Sequence, residues 1–436
     1  MKNTMIRILC TGDIHLGRRP TRIPASSSET TVEHIWEQMV DYAVNQDVDA
    51  VVLTGDVVDQ ENKFYESFGP LQRGLQELAS NDIDTFAVSG NHDWDVLPEL
   101  VDTLDTERFH LLGRGGRWES ATLERDGEPL VRFLGWSYPE RHVRWSPLES
   151  FETPINDGVP VFGVIHADLD AHDSRYAPVS TAELRGTAVD GWLLGHIHGP
   201  TKFDLGGSLG LYPGSPQPLD PGEPGAHGPW LVEVTDGGQL QARQLPQATV
   251  RYEEIELKVG DIDAGGQFRS AVTDRVQEAL KKHGQESESL RRAVYRIRCT
   301  GRTSLRREFE AQRASIISNL KIPFDDRTAT IDRIDFDTRP ERNLEELAKG
   351  SDPPAVLAGL LVDLQKGTLD EEARELLMAT KQSMDDASQT NAYAPLRRSS
   401  EAGGLPDNED IREILFQQGM ILLETLMAQT KEEEQS

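Results

Sequence analysis

Short apolar runs, each stopping at a glycine or a polar residue, recur through the first 250 positions. Ile6-Arg7-Ile8-Leu9-Cys10 leads into Asp13-Ile14-His15, and Ala50-Val51-Val52-Leu53 into Gly55-Asp56-Val57-Val58-Asp59. Thr85-Phe86-Ala87-Val88 leads into Gly90-Asn91-His92-Asp93, Val161-Phe162-Gly163-Val164-Ile165 into His166, and Gly191-Trp192-Leu193-Leu194 into Gly195-His196-Ile197-His198. Runs this short predict buried strands. Their carboxyl ends gather on one sheet edge, where loops carry chemistry. Between them, residues 28–45 place Val32, Ile35, Trp36, Met39, Val40 and Ala43 on one helical stripe. Residues 64–79 do the same with Phe64, Phe68, Leu71, Leu75 and Leu78. Alternating strands and helices predict an α/β layer. A hairpin over 118–123 and 130–136, and short strands at 203–205, 209–212, 230–234 and 240–245, add β-structure. Residues 1–247 are therefore expected to form two face-to-face β-sheets flanked by helices.

Beyond them the pattern changes. Strands at 253–259, 293–299 and 328–336, with helices at 262–282 and 304–320, predict a small α+β domain over 248–338. A helical segment follows over 339–384. Residues 385–406 lack periodicity and read as a flexible linker. Residues 407–436 hold a terminal amphipathic helix with Ile411, Ile414, Leu415, Leu422 and Leu426 on its stripe. Such a helix suits docking on a partner or packing back on its own chain.

The formal net charge is −29. A surface this acidic repels a polyanion unless metals and local basic patches offset it, and it attracts divalent cations. A solvated acidic surface suited to a salty cytosol is the simpler reading and the preferred one. Two basic stretches stand out. Arg18, Arg19 and Arg22 lie in the loop after the first strand, and residues 291–307 carry seven arginines and no acid. Strand alternation puts Tyr295, Ile297 and Cys299 on one face and Arg296 and Arg298 on the other. These arginines form a nucleic-acid footprint or pair with acids such as Glu308 and Glu310. Cys10 and Cys299, the two cysteines, provide no disulfide framework. No run is long enough to cross a bilayer, and no signal-peptide pattern opens the sequence, so a cytoplasmic protein is expected.

The five strand-end stretches hold two clear carboxylates, one amide oxygen and four imidazoles. Oxygen and nitrogen donors without thiolate favour Mn²⁺, Fe²⁺ or Zn²⁺ over Ca²⁺. Seven ligands exceed one tetrahedral site and suit two ions sharing a carboxylate. A lone histidine is more often a core residue; the set of five, each after a strand, is the signal. The turns over 172–178, including His172, and 212–216 either wall this site or serve only as loops.

Asp13-Ile14-His15-Leu16-Gly17, residues 55–63 from Gly55-Asp56 to Asn62-Lys63, and Gly90-Asn91-His92-Asp93 resemble the calcineurin-like metallophosphoesterase superfamily, most closely its SbcD-type DNA repair nucleases. Tyr176-Ala177-Pro178 and Tyr212-Pro213-Gly214-Ser215 are similar to the bacterial branch. The resemblance covers residues 5–245, and the domain after it is similar in order to the family's capping domain. It implies that Asp13, His15, Asp56 and His198 hold one ion and Asn91, His166 and His196 a second, with Asp56 bridging. It implies in-line attack on phosphorus by a water between two ions, most readily Mn²⁺. His92 is then the general acid, oriented by Asp59, although some relatives carry His at that position. DNA as substrate and an SbcC-type coiled-coil ATPase as partner follow from the same resemblance, and homodimerisation stays open. A small phosphoester, nucleotide or phosphoprotein substrate, or a non-catalytic scaffold role, are the competing readings.

Overall fold

The computed structural model describes residues 5–24, 27–59, 64–104, 107–153, 157–171, 173–235, 239–340, 343–368, 371–388 and 408–433. His172 and most of the expected linker lie outside them. Two compact units are present, one comprising residues 1–301 and 305–338 and the other 302–304 and 339–436.

The first unit is built on two six-stranded sheets. In one, Ile6–Thr11, Ala50–Leu53, Asp84–Ala87 and Phe109–Leu111 run parallel, and Trp230–Val234 and Leu240–Gln244 extend it antiparallel beyond the first strand. In the other, Glu128–Trp136, Val161–His166, Gly191–Gly195 and Leu209–Tyr212 run parallel, with antiparallel strands Glu119–Arg125 and Thr201–Asp204 at its edges. Strand alternation assigns the faces. Ile6, Ile8 and Cys10 join Val52 and Phe86 in a core shared with Phe133, Phe162, Val164 and Leu193 of the opposite sheet. Leu9, Val51 and Leu53 point the other way. They bury against Ile35, Trp36 and Met39 of the helix Val32–Asn45 and against Leu71, Leu75 and Leu78 of the helix Phe64–Ser80. Every residue of Ala50–Leu53, Val161–His166 and Gly191–Gly195 is buried, as strands covered on both faces require.

The fold class is the expected one: two facing sheets with helices outside. The hairpin is tighter than the sequence suggested. Asp126 and Gly127 alone make the turn, both at positive φ (55° and 80°). Two central residues of this kind match the right-handed twist of the paired strands.

The smaller sheet has the order Val250–Lys258, Arg292–Arg302, Arg327–Arg339, Lys321–Phe324. Its helices Phe268–Glu286 and Arg306–Asn319 share a core with Tyr295, Ile297 and Cys299. The strand Lys321–Phe324, which periodicity missed, pairs antiparallel with the start of Arg327–Arg339. Four residues are too few to show alternation.

In the second unit, the helix Pro353–Lys366 packs Ala358, Leu361 and Leu364 against Met420 and Leu423 of the helix Asn408–Glu433. The terminal helix thus packs back on its own chain. Its stripe splits: Ile411 is fully buried, while Leu422 stays 52 % exposed. The helix Glu371–Ser388 runs into the stretch read as linker, since no Gly or Pro lies between Glu371 and Pro395. No helix of the described residues is long and apolar enough to cross a membrane.

The inter-sheet core centres on Phe133, whose ring lies 4.4 Å from that of Phe86 and 6.0 Å from that of Phe162. Phe133→Ala is expected to cost about 3–5 kcal/mol in urea-induced unfolding, the usual cost of emptying a large aromatic site. A loss below about 1 kcal/mol would contradict this packing.

Candidate metal centre

The strand ends do converge. Leu53 lies in register between Thr11 and Ala87, so the turns after three parallel strands open on the same edge. His166 pairs in register with Gly195 on the facing sheet. Asp13, His15, Asp56 and His196 all take positive φ, at 49°, 52°, 50° and 98°. Such backbone is strained for residues other than glycine, and it clusters where function over-determines it. Here it folds the side chains back into the seam between the sheets. Glycine is required beside them. A Cβ on Gly55 (φ 100°) would lie 2.7 Å from Nδ1 of His166, and one on Gly90 would press on the Asp56 carboxylate.

Among the described residues, three groups of side chains could hold an ion: Asp13, His15 and His198; Asp13, Asp56 and His166; and His15, Asp59 and His92. Nε2 of His15 lies 3.2 Å from Nε2 of His198. Nε2 of His166 lies 3.3 Å from Oδ2 of Asp56 and 3.1 Å from Oδ1 of Asn91. Its Nδ1 sits 3.1 Å from the carbonyl of Thr54, which suits a proton on Nδ1 and leaves Nε2 for a cation. Asp13, His15, Asp56 and His166 are almost wholly buried. The buried Nδ1 of His15 has no hydrogen-bond partner. Two imidazole nitrogens facing each other at 3.2 Å, beside two buried carboxylates, fit divalent cations.

His196 is placed differently. Its backbone N–H donates to both Asp13 oxygens, at 3.1 and 3.2 Å, but its Nε2 lies 3.9 Å from Asp168 and its ring packs on Tyr176 and His166. His92 is partly exposed at the edge of the cluster, its ring 5.0 Å from that of His15, and its N–H donates to Oδ1 of Asp56 at 2.8 Å. Asp59 lies 3.8 Å from His15 and 3.3 Å from Nε of Arg18.

The basic residues are largely matched by acids. Arg22 and Arg296 converge on Asp332 at 3.0 and 2.9 Å, and Arg298 faces Glu254 at 3.3 Å. Arg19 is exposed. Sequence reading named Glu308 and Glu310 as the pairing acids; Glu310 does pair, with Arg306. The strand partners Asp332 and Glu254 could not be seen without register.

Two acids that the sequence left without a role are built into the site. Asp93 accepts from the N–H groups of Gly90 and Val57, each at 2.7 Å, and so ties the second and third turns together. Glu223 accepts from Nδ1 of His198 at 2.7 Å. Asp93 stood in the quoted motif, whereas nothing local marked Glu223.

Burial and charge set the protonation states. Burial pushes the Asp93 carboxyl up to about 7, with Asp56 adding to it. Burial takes His15 and His196 down to about 3 each. Burial opposes charge on His166, yet Asp56 outweighs it and holds this imidazole up at about 9. Burial likewise opposes charge on His198, and the Glu223 hydrogen bond takes it up to about 9. Burial acts to raise both carboxylates: it prevails at Asp13, whereas His166 and His15 bring Asp56 well below the usual carboxylate range.

Residues 6–200 match the calcineurin-like phosphoesterase family model. The chain carries a calcineurin-like metallophosphoesterase domain. It is 26 % identical over 244 residues to the metallophosphoesterase YhaO of Bacillus subtilis, covering 54 % of this chain and 59 % of that protein. It is 28 % identical over 286 residues to the DNA double-strand break repair protein Mre11 of Haloferax volcanii, covering 63 % of this chain and 58 % of that protein. The chain therefore spans under two thirds of the length of these relatives. A dimetal phosphatase from Danio rerio aligns with a TM-score of 0.36 at 14 % identity, over 55 % of this chain and 96 % of that one.

Ligation requires neutral imidazoles. To ligate a cation at pH 7.5, His166 and His198, held near 9, would each have to give up a proton. Calorimetry of Mn²⁺ binding in buffers of different ionisation enthalpy is expected to report about two protons released, with affinity falling as pH drops. Without metal the sign reverses. Both folded values lie above the unfolded histidine value of about 6.5, so their stabilisation is full below pH 6.5 and is lost as pH rises through 9. Metal-free protein is expected to melt at lower temperature at pH 9.5 than at pH 6.5; a flat profile with no proton release would contradict these states.

Proposed function

We propose that this chain is a two-metal phosphodiesterase that hydrolyses DNA in end processing and repair. One observation carries the reading: Asp13, His15, Asp56, Asn91, His166 and His198 meet in one buried cluster at the strand ends. Asp13, His15, Asp56 and His198 would hold one ion, and Asn91 and His166 a second, with Asp56 shared; the family resemblance adds His196 to the second ion, but its ring faces Asp168 and Tyr176 instead. When bound, such a pair supplies Lewis acidity toward the phosphoryl group and lowers the pKa of a water nucleophile.

The chain's own residues do the rest. His92 stands at the accessible edge with its backbone pinned to Asp56, so its imidazole is free to donate a proton to the leaving oxygen. Asp59 lies in the same group as His92 and His15, and its carboxylate would orient the His92 imidazole. Arg18, held by Asp59, and Arg19 offer donors for a phosphate beside the cluster. Relatives named for DNA double-strand break repair support DNA as the substrate. An SbcC-type ATPase is the proposed partner, and a basic surface on it would offset the −29 charge of this chain.

A second reading, hydrolysis of a small phosphoester, is favoured by the pairing of Arg22, Arg296 and Arg298 with acids. Rates on linear DNA and on bis(p-nitrophenyl) phosphate with Mn²⁺ separate the two. DNA cleavage is expected, and hydrolysis of the dye alone would favour the small substrate. His92→Ala is expected to lower either rate on the order of 100-fold or more with bound metal unchanged. Wild-type turnover in that variant would remove His92 from the chemistry.

A further inference from the structure

The His198 imidazole has a neighbour on each nitrogen. Nε2 faces the cluster, 3.2 Å from His15 and 3.7 Å from Oδ1 of Asp13. Nδ1 faces away, 2.7 Å from Oε1 of Glu223. The second Glu223 oxygen is also engaged: the hydroxyl of Ser215 and the N–H of Leu219 each donate to it at 2.9 Å. The turn bearing these groups is itself anchored. Ser215 N–H donates to the carbonyl of His198 at 3.0 Å, and Gly225 N–H donates to that of Tyr252 at 3.0 Å.

A carboxylate only accepts. Glu223 therefore bonds a neutral His198 only when Nδ1 carries the proton, which leaves the Nε2 lone pair facing Asp13 and His15. A ligating imidazole needs this tautomer, and its outer hydrogen bond selects it.

We propose that Glu223 is the positioning residue of His198, fixing Nε2 as the atom offered to the ion shared with Asp13 and His15. This rests on the two-metal reading above. The isosteric amide exposes the mechanism. In Glu223→Gln, an oxygen turned to His198 sets the amide NH₂ against the donor N–H of Leu219. Turned the other way, the NH₂ donates to Nδ1, and the proton moves to Nε2, where it blocks ligation. A side chain that merely filled space would tolerate this change.

The test is Mn²⁺ binding to the full chain by equilibrium dialysis and elemental analysis, with melting curves to verify folding. Glu223→Gln is expected to weaken one of two ions about 10–100-fold and leave the other unchanged. Ser215→Ala, which keeps the Leu219 anchor, is expected to weaken the same ion by less. Wild-type affinity for both ions in the glutamine variant, or equal loss of both, overturns the assignment of Glu223. Fewer than two ions on the wild-type chain would overturn the two-metal reading, and this assignment with it.

Discussion

Two carboxylates, Asp13 and Asp56, lie buried together in the seam between the sheets. Burying charge without a partner costs several kcal/mol per ion, so neighbouring groups must supply positive charge or donors. They do so in layers. His166 and His198 turn toward the carboxylates, the N–H groups of His92 and His196 donate to them, and Glu223 and the Thr54 carbonyl hold the imidazoles from behind. The strained backbone at Asp13, His15 and Asp56 follows from the same demand, because an extended strand end would aim these side chains elsewhere. The two facing sheets provide the rigid frame that maintains that strain.

Much of this was legible in the sequence because one physical rule links pattern to place. A short apolar run is a buried strand, and a polar turn at its end lies on the sheet edge. That rule places Asp13, His15, Asp56, Asn91, His166 and His198 at strand ends from the pattern alone. It gave both sheets except the edge strand Phe109–Leu111, and two of the outer helices, for the same reason. It could not give the turn geometry. His-x-His leaves its two imidazoles free to serve different ions, yet with positive φ at His196 its ring lies toward Asp168 and Tyr176.

What stayed hidden depended on register and long-range pairing. Arg22, in a loop, and Arg296, on a strand, are far apart in sequence yet meet on one acid, Asp332, of the strand Arg327–Arg339. Glu223 sits in a turn-rich stretch without periodicity, and its role appears only when His198 is seen to face it. The terminal helix was ambiguous in principle, since an apolar stripe does not say what covers it; here Met420 and Leu423 pack on the helix Pro353–Lys366. The −29 charge fits the same scheme, as an acidic surface favours cations while requiring a partner or local arginines for a polyanion.

Anomalous diffraction from crystals soaked in Mn²⁺ addresses the centre of the account most directly. Two peaks about 3.5–4 Å apart, with the Asp56 carboxylate touching both, are the predicted result. A single peak, or two peaks with Asp56 bound to neither, would contradict it.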